Sequence, residues 1–195
     1  MADSEPLIGE ALALDLVNTR PAGAHGRVDL LATPQQLSGW LLLERDRLQG
    51  EVQNTAPTRS DLAPLHTVRA HTEAAVRALL DRSEPPVRAL RGLTEAQRAA
   101  PPVRELDWDG TAVTAIPRRN GPLGTRLAAL LAEAAAEMLS TPAIDRLKEC
   151  EADDCVMVFL TAHPRRRWCS PTRCGNRTRV ARYYRRHNQA EPTRT

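Results

Sequence analysis

The sequence predicts an α+β protein, mainly helical, built in two parts. A helical domain with one β-hairpin covers residues 1–141. A small module of two short strands and a basic helix covers 142–190, and 191–195 form a disordered tail. Three observations lead there. Apolar residues recur at helical spacing through much of the N-terminal part. "WDGT" at 108–111 sits between two alternating runs and carries a hairpin turn. All four cysteines fall between positions 150 and 174. The chain has 195 residues, of which 42% are apolar and only 3% aromatic, so its core is made mainly of Leu, Val and Ala.

The elements follow in order. A first helix is predicted over "GEALALDLVNT", with Ile8, Leu12, Leu16 and Thr19 in one stripe widened by Leu14 and Val17. A loop with Pro21, Gly23 and Gly26 comes next. Thr33-Pro34-Gln35-Gln36 reads as a helix start: Thr33 caps, Pro34 takes the first helical position and Gln36 completes a capping box. That helix presents Leu37, Trp40, Leu41 and Leu48. After the loop "EVQNTAPTRS", Ser60 or Asp61 caps a helix to about Arg82, with Leu62, Leu65, Arg69, Val76, Leu79 and Leu80 on one face. Pro85 and Pro86 end it, and a short helix covers Val87–Ala99. In the hairpin, a two-residue Asp109-Gly110 turn sets Trp108 opposite Thr111 and Leu106 opposite Val113. The clearest helix is "PLGTRLAALLAEAAAEMLS", with Leu127, Leu130, Leu131, Ala134 and Met138 in register until Ser140-Thr141-Pro142 breaks it.

Charge divides the chain. Residues 1–154 hold 17 Lys+Arg and 23 Asp+Glu, whereas residues 155–195 hold ten Arg and a single acid, Glu191. An anionic partner for the C-terminal segment is expected. Lys148 is the only lysine. With the wealth of Ala, Arg and Pro, this points to a GC-rich bacterial genome, so the positions of the arginines say more than their number. The N-terminus "MADSEPLIGE" lacks the basic and apolar regions of a signal peptide, and no apolar run could span a membrane. A cytoplasmic protein with no membrane partner is expected.

The cysteines carry the strongest pattern. Cys150 and Cys155 form one Cys-x4-Cys pair, Cys169 and Cys174 a second, with thirteen residues between them. Two close pairs at hairpin distance are what a tetrahedral four-thiolate site requires. The first pair falls on a turn between strands "RLKEC" and "VMVFL". The second falls at a helix start, where Ser170 caps and Pro171 takes the first position. Buried free thiols or disulfides are the competing reading, and an iron–sulfur centre is another. Reducing cytosol argues against disulfides. One structural Zn²⁺ suits the wide pairs and the strand–turn–helix setting of a treble-clef-like zinc finger. His163 and His187 are possible ligands, but four thiolates already fill four positions and leave none for a catalytic water.

The segment from Arg165 to His187 holds nine arginines and no acid. At 100° per residue from Pro171, Val180, Tyr183 and Tyr184 lie on one side, which is expected to pack on the finger or the large domain. Arg179, Arg182, Arg185 and Arg186 lie broadly opposite, and Arg165, Arg166 and Arg167 join them from the preceding loop as candidate phosphate contacts. Asn176 and Arg177 are placed around the metal. Zn²⁺ with four thiolates carries a formal −2 that a guanidinium offsets.

At "RWCSPTRCGNR" the sequence resembles the CGNR zinc finger. "ALALDLVNT" followed by "DLLATPQQLSGWL" resembles the ABATE domain, which accompanies this finger in bacterial proteins and carries the description of a stress-induced transcription regulator. The resemblance covers nearly the whole chain. It implies a zinc-binding, DNA-binding regulator with Cys150, Cys155, Cys169 and Cys174 as ligands. One departure stands out: Thr161 and Ala162 occupy positions where family members carry an acid and a hydroxyl.

Three functions compete. A transcription regulator would dock the basic helix on DNA while the larger domain senses an effector or mediates assembly, and a homodimer would suit a single small finger. An RNA-binding or ribosome-associated module is served equally by the charge, with Tyr183-Tyr184 available for stacking. An enzyme would have to use Asp15, Asn18, His66 and His71 in the N-terminal domain. No Gly-rich phosphate loop, nucleophile motif or His-x-x-x-His pair supports it, and the sequence predicts no enzyme.

Overall fold

α1 (Leu12–Val17) is a short helix with all six residues buried, Asp15 included. It lies at the centre of the computed structural model, which describes residues 6–23, 26–48, 50–51 and 56–188. The helix starts later than the apolar pattern predicts, and Ile8 is exposed. Asp15 is the reason. Its carboxylate accepts the backbone N–H of Gly9 at 2.9 Å and of Glu10 at 3.0 Å, folding the chain back before the first turn. Gly9 takes the left-handed φ of +101° that this bend demands.

A two-residue antiparallel ladder, β1 (Ala22–Gly23) with β2 (Gly26–Arg27), occupies part of the predicted loop. α2 (Pro34–Leu43) opens with the predicted capping box: Thr33 Oγ1 accepts the Gln36 N–H, and the Gln36 side chain accepts the Thr33 N–H. It buries Leu37, Trp40 and Leu41. α3 (Leu62–Leu80) has the predicted Asp61 at its N-cap position, and the 3-10 turn Arg59–Asp61 that leads into it is capped in turn by Thr58. Asp61 is the acceptor in that box and also takes the Gly124 N–H at 2.7 Å. A Cβ at Gly124 would lie 2.5 Å from the Asp61 Cα, so only glycine allows this approach. α4 (Val87–Ala99) has the predicted bounds.

The hairpin pairs β3 (Val103–Trp108) with β4 (Val113–Arg118), but its register differs from the prediction by two. Trp108 pairs with Val113 and Leu106 with Ala115. The loop is four residues long because Asp109 Oδ1 accepts the Thr111 N–H, the Thr111 hydroxyl and the Ala112 N–H. This side-chain-to-backbone network outcompetes the tight Asp-Gly turn. Leu106, Trp108 and Val113, alternate positions on one face, are all exposed. α5 (Leu123–Ser140) then returns through the core. It buries Leu127, Leu130 and Leu131 together with Ala128, Ala129, Ala132 and Ala135, small residues that let α1, α3 and α4 approach closely.

The C-terminal module docks on this core through both of its strands, β6 against α1 and β5 against α3. β5 (Leu147–Glu149) and β6 (Val158–Leu160) pair antiparallel, with Glu149 opposite Val158 and Leu147 opposite Leu160. Successive side chains of β6 face opposite ways. Val158 and Leu160 join the helical core, whereas Met157 and Phe159 join a second cluster formed by the cysteines, Ala152, Trp168 and Leu7. Asn18 fastens the join: its Nδ2 donates to the Val158 carbonyl and its Oδ1 accepts the Val158 N–H, both at 2.9 Å. α6 (Asn176–Asn188) leads away from the cluster after a π-helical turn at Pro171–Gly175. No helix among the described residues is long and apolar enough to cross a membrane.

Candidate metal centre and basic helix

Cys150 and Cys155 stand on the turn between β5 and β6. The turn is closed by Cys150 N–H to the Met157 carbonyl and Cys155 N–H to the Ala152 carbonyl, each 2.9 Å. Cys169 and Cys174 flank the entry to the π-helical turn, where Ser170 Oγ accepts the Arg173 N–H and Pro171 takes the first position. The four Sγ atoms lie within 4.8 Å of one another. Cys155 to Cys169 is 3.8 Å and Cys169 to Cys174 is 3.6 Å. A tetrahedron with metal–sulfur bonds of ~2.3 Å has an edge of about 3.8 Å. A disulfide requires about 2.05 Å, so the thiols are unbridged.

Their acid–base chemistry calls for a cation. Hydrogen bonds from Cys155 and Cys169 hold the Cys150 thiol down at about 2. The bond that Cys155 gives Cys150 pushes Cys155 up to about 12. Cys169 is raised by its bonds to Cys150 and Cys155, and Cys174 by burial. Burial and mutual hydrogen bonding thus hold three of the four thiols protonated, and a dication is what would let all four ionise together. One structural Zn²⁺ fits the cluster, held by Cys150, Cys155, Cys169 and Cys174. The backbone N–H of Cys169 donates to Cys150 Sγ at 3.3 Å, and Arg177 Nη2 donates to Cys174 Sγ at 3.5 Å.

A family model named ABATE, described as "Putative stress-induced transcription regulator", matches residues 10–142. The CGNR zinc finger matches residues 146–187. The chain belongs to the ABATE family. No curated protein matches it.

Within this ABATE protein the predicted arginines have different fates. Arg166 is spent internally: it donates to the Glu10 carboxylate at 2.5 Å and the Cys169 carbonyl at 2.6 Å, and covers the Phe159 ring at 4.1 Å. It clamps the finger to the helical domain, assisted by Leu160 N–H to Glu10 at 3.3 Å. Arg167 pairs with Glu151 at 2.5 Å while remaining near the surface, and Arg165 is exposed. Arg177 bridges Cys174 and Asp154, the latter at 2.7 Å. Asn176 starts α6 with its side chain exposed. Arg182, Arg185 and Arg186 line a cleft of about 670 Å³ whose other wall is the acidic turn Glu151, Asp153 and Asp154. Arg179 turns back to the Gly175 carbonyl at 3.2 Å.

The apolar side of α6 does not pack as predicted. Val180, Tyr183 and Tyr184 are 53%, 55% and 60% exposed. α6 meets the finger at its entry and faces the acidic turn across the cleft, and among the described residues these three side chains lie outside that contact. Thr161, at the family departure, is buried, and its hydroxyl donates to the His163 carbonyl, bracing the loop that carries Arg166.

The polar residues considered for catalysis are scattered and occupied. Asp15 binds Gly9, Glu10 and, at 2.6 Å, Arg47. Asn18 holds β6. His66 bonds the Leu31 carbonyl at 2.8 Å. His71 lies against Gly92, where a Cβ would stand 2.2 Å from its Nε2. Sequence reasoning named Asp15 but missed its partners, the buried Glu44 and the half-buried Arg47. Burial, then the Asp15 charge, raises the Glu44 carboxyl to about 7. Its only signal was a polar residue inside an apolar helix stripe.

Proposed function

We propose that this ABATE protein is a non-enzymatic, zinc-stabilised transcription regulator that docks α6 on DNA, with the helical domain receiving a signal or a partner. The supporting observation is the setting of α6. One end is fixed by the four-cysteine centre, and the exposed helix beyond it carries Arg179, Arg182, Arg185 and Arg186 with no acidic residue of its own. A rigid array of guanidiniums releases counterions from a phosphate backbone on binding. The acidic turn facing Arg182 and Arg185 repels phosphate from that wall and so restricts how the helix is approached. RNA is the second reading, favoured by the exposed rings of Tyr183 and Tyr184, which suit stacking on unpaired bases.

Recovery of genomic DNA fragments on zinc-loaded protein at near-physiological salt, with RNA fragments as competitor, tests both. Enrichment of a shared duplex site, lost on zinc removal, is expected. Replacing Arg182, Arg185 and Arg186 by Ala should lower affinity and flatten the salt dependence by up to about three units of slope. An unchanged slope, or preferential recovery of RNA, would reject the DNA reading.

A further inference from the structure

A second cavity lies at the seam between the two modules, lined by none of the arginines proposed for phosphate. Its volume is about 620 Å³, within the ~300–1,000 Å³ range of small-molecule sites. The apolar lining comes from three directions: Leu12 of α1, Leu130, Ala134 and Met138 of α5, and Leu160 of β6, with Pro117 at the base of the hairpin. None of these offers a side-chain hydrogen bond, so the body of a ligand here must be hydrocarbon.

Four charged residues also line the cavity: Arg47, Arg104, Glu133 and Glu137. Two are already engaged. Arg47 is held by Asp15 at 2.6 Å, Glu44 at 2.9 Å and the Glu10 carbonyl at 2.6 Å. Glu133 is paired with Arg119. Arg104 and Glu137 have no ion pair or side-chain hydrogen bond among the described residues. They stand on different walls, Arg104 on β3 and Glu137 on α5. An open cleft with an apolar floor, one spare guanidinium and one spare carboxylate at its rim is complementary to a molecule carrying a carboxylate, an ammonium and a hydrocarbon body.

We infer that this cavity binds an apolar zwitterion, the chemistry shared by a free aliphatic amino acid and a short aliphatic peptide, with Arg104 taking the carboxylate and Glu137 the ammonium. The inference stands apart from the nucleic-acid reading. It does place the ligand against Leu160 and against Arg47, which holds the carbonyl of Glu10, the residue whose carboxylate pairs with Arg166 of the finger.

Calorimetric titration of zinc-loaded, full-length protein is the test. L-leucine and the dipeptide Leu-Leu are the probes, and 4-methylpentanoate and isoamylamine are single-charge controls. At least one zwitterion should bind about tenfold or more tightly than either control, as expected when one charge-assisted hydrogen bond is lost. The tighter of the two identifies the source. Arg104→Ala and Glu137→Gln should each weaken that binding by about tenfold. Both residues are exposed, so thermal melting should be nearly unchanged. Ala134→Trp, which fills the cavity from α5, should abolish binding. Heats no different from buffer for both zwitterions, a control that binds equally well, or full binding by both charge variants would overturn the assignment.

Discussion

Asn18→Ala is the most informative single change, because one side chain makes both bonds that fasten β6 to α1. The two 2.9 Å bonds run between Asn18 and the backbone of Val158, 140 residues away, and both residues are buried. Alanine deletes the partner and strands a buried N–H and a buried carbonyl. Leaving such groups unpaired costs about 1–3 kcal/mol each, with some relief where water enters. A total of roughly 2–4 kcal/mol follows. With a urea slope of about 2 kcal/mol/M, the midpoint falls by about 1–2 M. Two probes should be followed together: far-UV circular dichroism for the helices, and zinc release to a chromogenic chelator for the finger. In the wild type they should coincide. In the variant, zinc release should move to lower urea and precede helix loss, since the join is what fails. Asn18→Asp keeps the acceptor but sets a carboxylate oxygen against the Val158 carbonyl, and should be at least as damaging. A midpoint shift worth less than about 0.5 kcal/mol, or two curves that still superimpose, would refute the idea that this pair couples the modules.

Three further outcomes are expected. Arg69 is 4% exposed and bonds Thr19 at 2.9 Å and both oxygens of Asp29 at 2.7 and 2.5 Å, so Arg69→Ala should cost about 3–5 kcal/mol in a thermal or urea melt. Glu44 titrates at about 7 in the fold against an ordinary 4.5. The folded state therefore binds the extra proton, and wild-type stability falls as pH rises through that window, by on the order of 2–3 kcal/mol. Glu44→Gln, which mimics the protonated acid, should be more stable than wild type at pH 8 and similar at pH 4.5, as read from urea midpoints across pH. Cys169→Ser should lose the bound zinc and the order of the finger while the helical signal of the larger domain persists. Full zinc stoichiometry with an unchanged melt would contradict the four-thiolate centre.

Features governed by neighbours in sequence were legible without coordinates. The Thr33–Gln36 capping box, the bounds of α4 between its prolines, and the grouping of four cysteines all depend on residues within a few positions of one another. The errors have a shared cause. Asp15 and Asp109 bind nearby backbone N–H groups and so moved a helix start and a hairpin register, a competition that apolar periodicity does not register. Arg166 reads as one more exposed cation because Glu10, its partner, is 156 residues earlier. The apolar stripe of α6 looked like a packing face, yet among the described residues Val180, Tyr183 and Tyr184 stay more than half exposed. Periodicity shows which side of a helix is apolar, not whether anything covers it.

The two-sidedness of β6 ties the metal to the lifetime of the whole molecule. Val158 and Leu160 complete the helical core, while Met157 and Phe159 complete the thiolate cluster. Withdrawing zinc would leave the helices standing but remove support from one face of that strand, so that the join would open more often. Proteases and chaperones act on such openings. A cell short of zinc would hold less of this protein at the same rate of synthesis, so its abundance would report metal supply even if no ligand ever changed its shape.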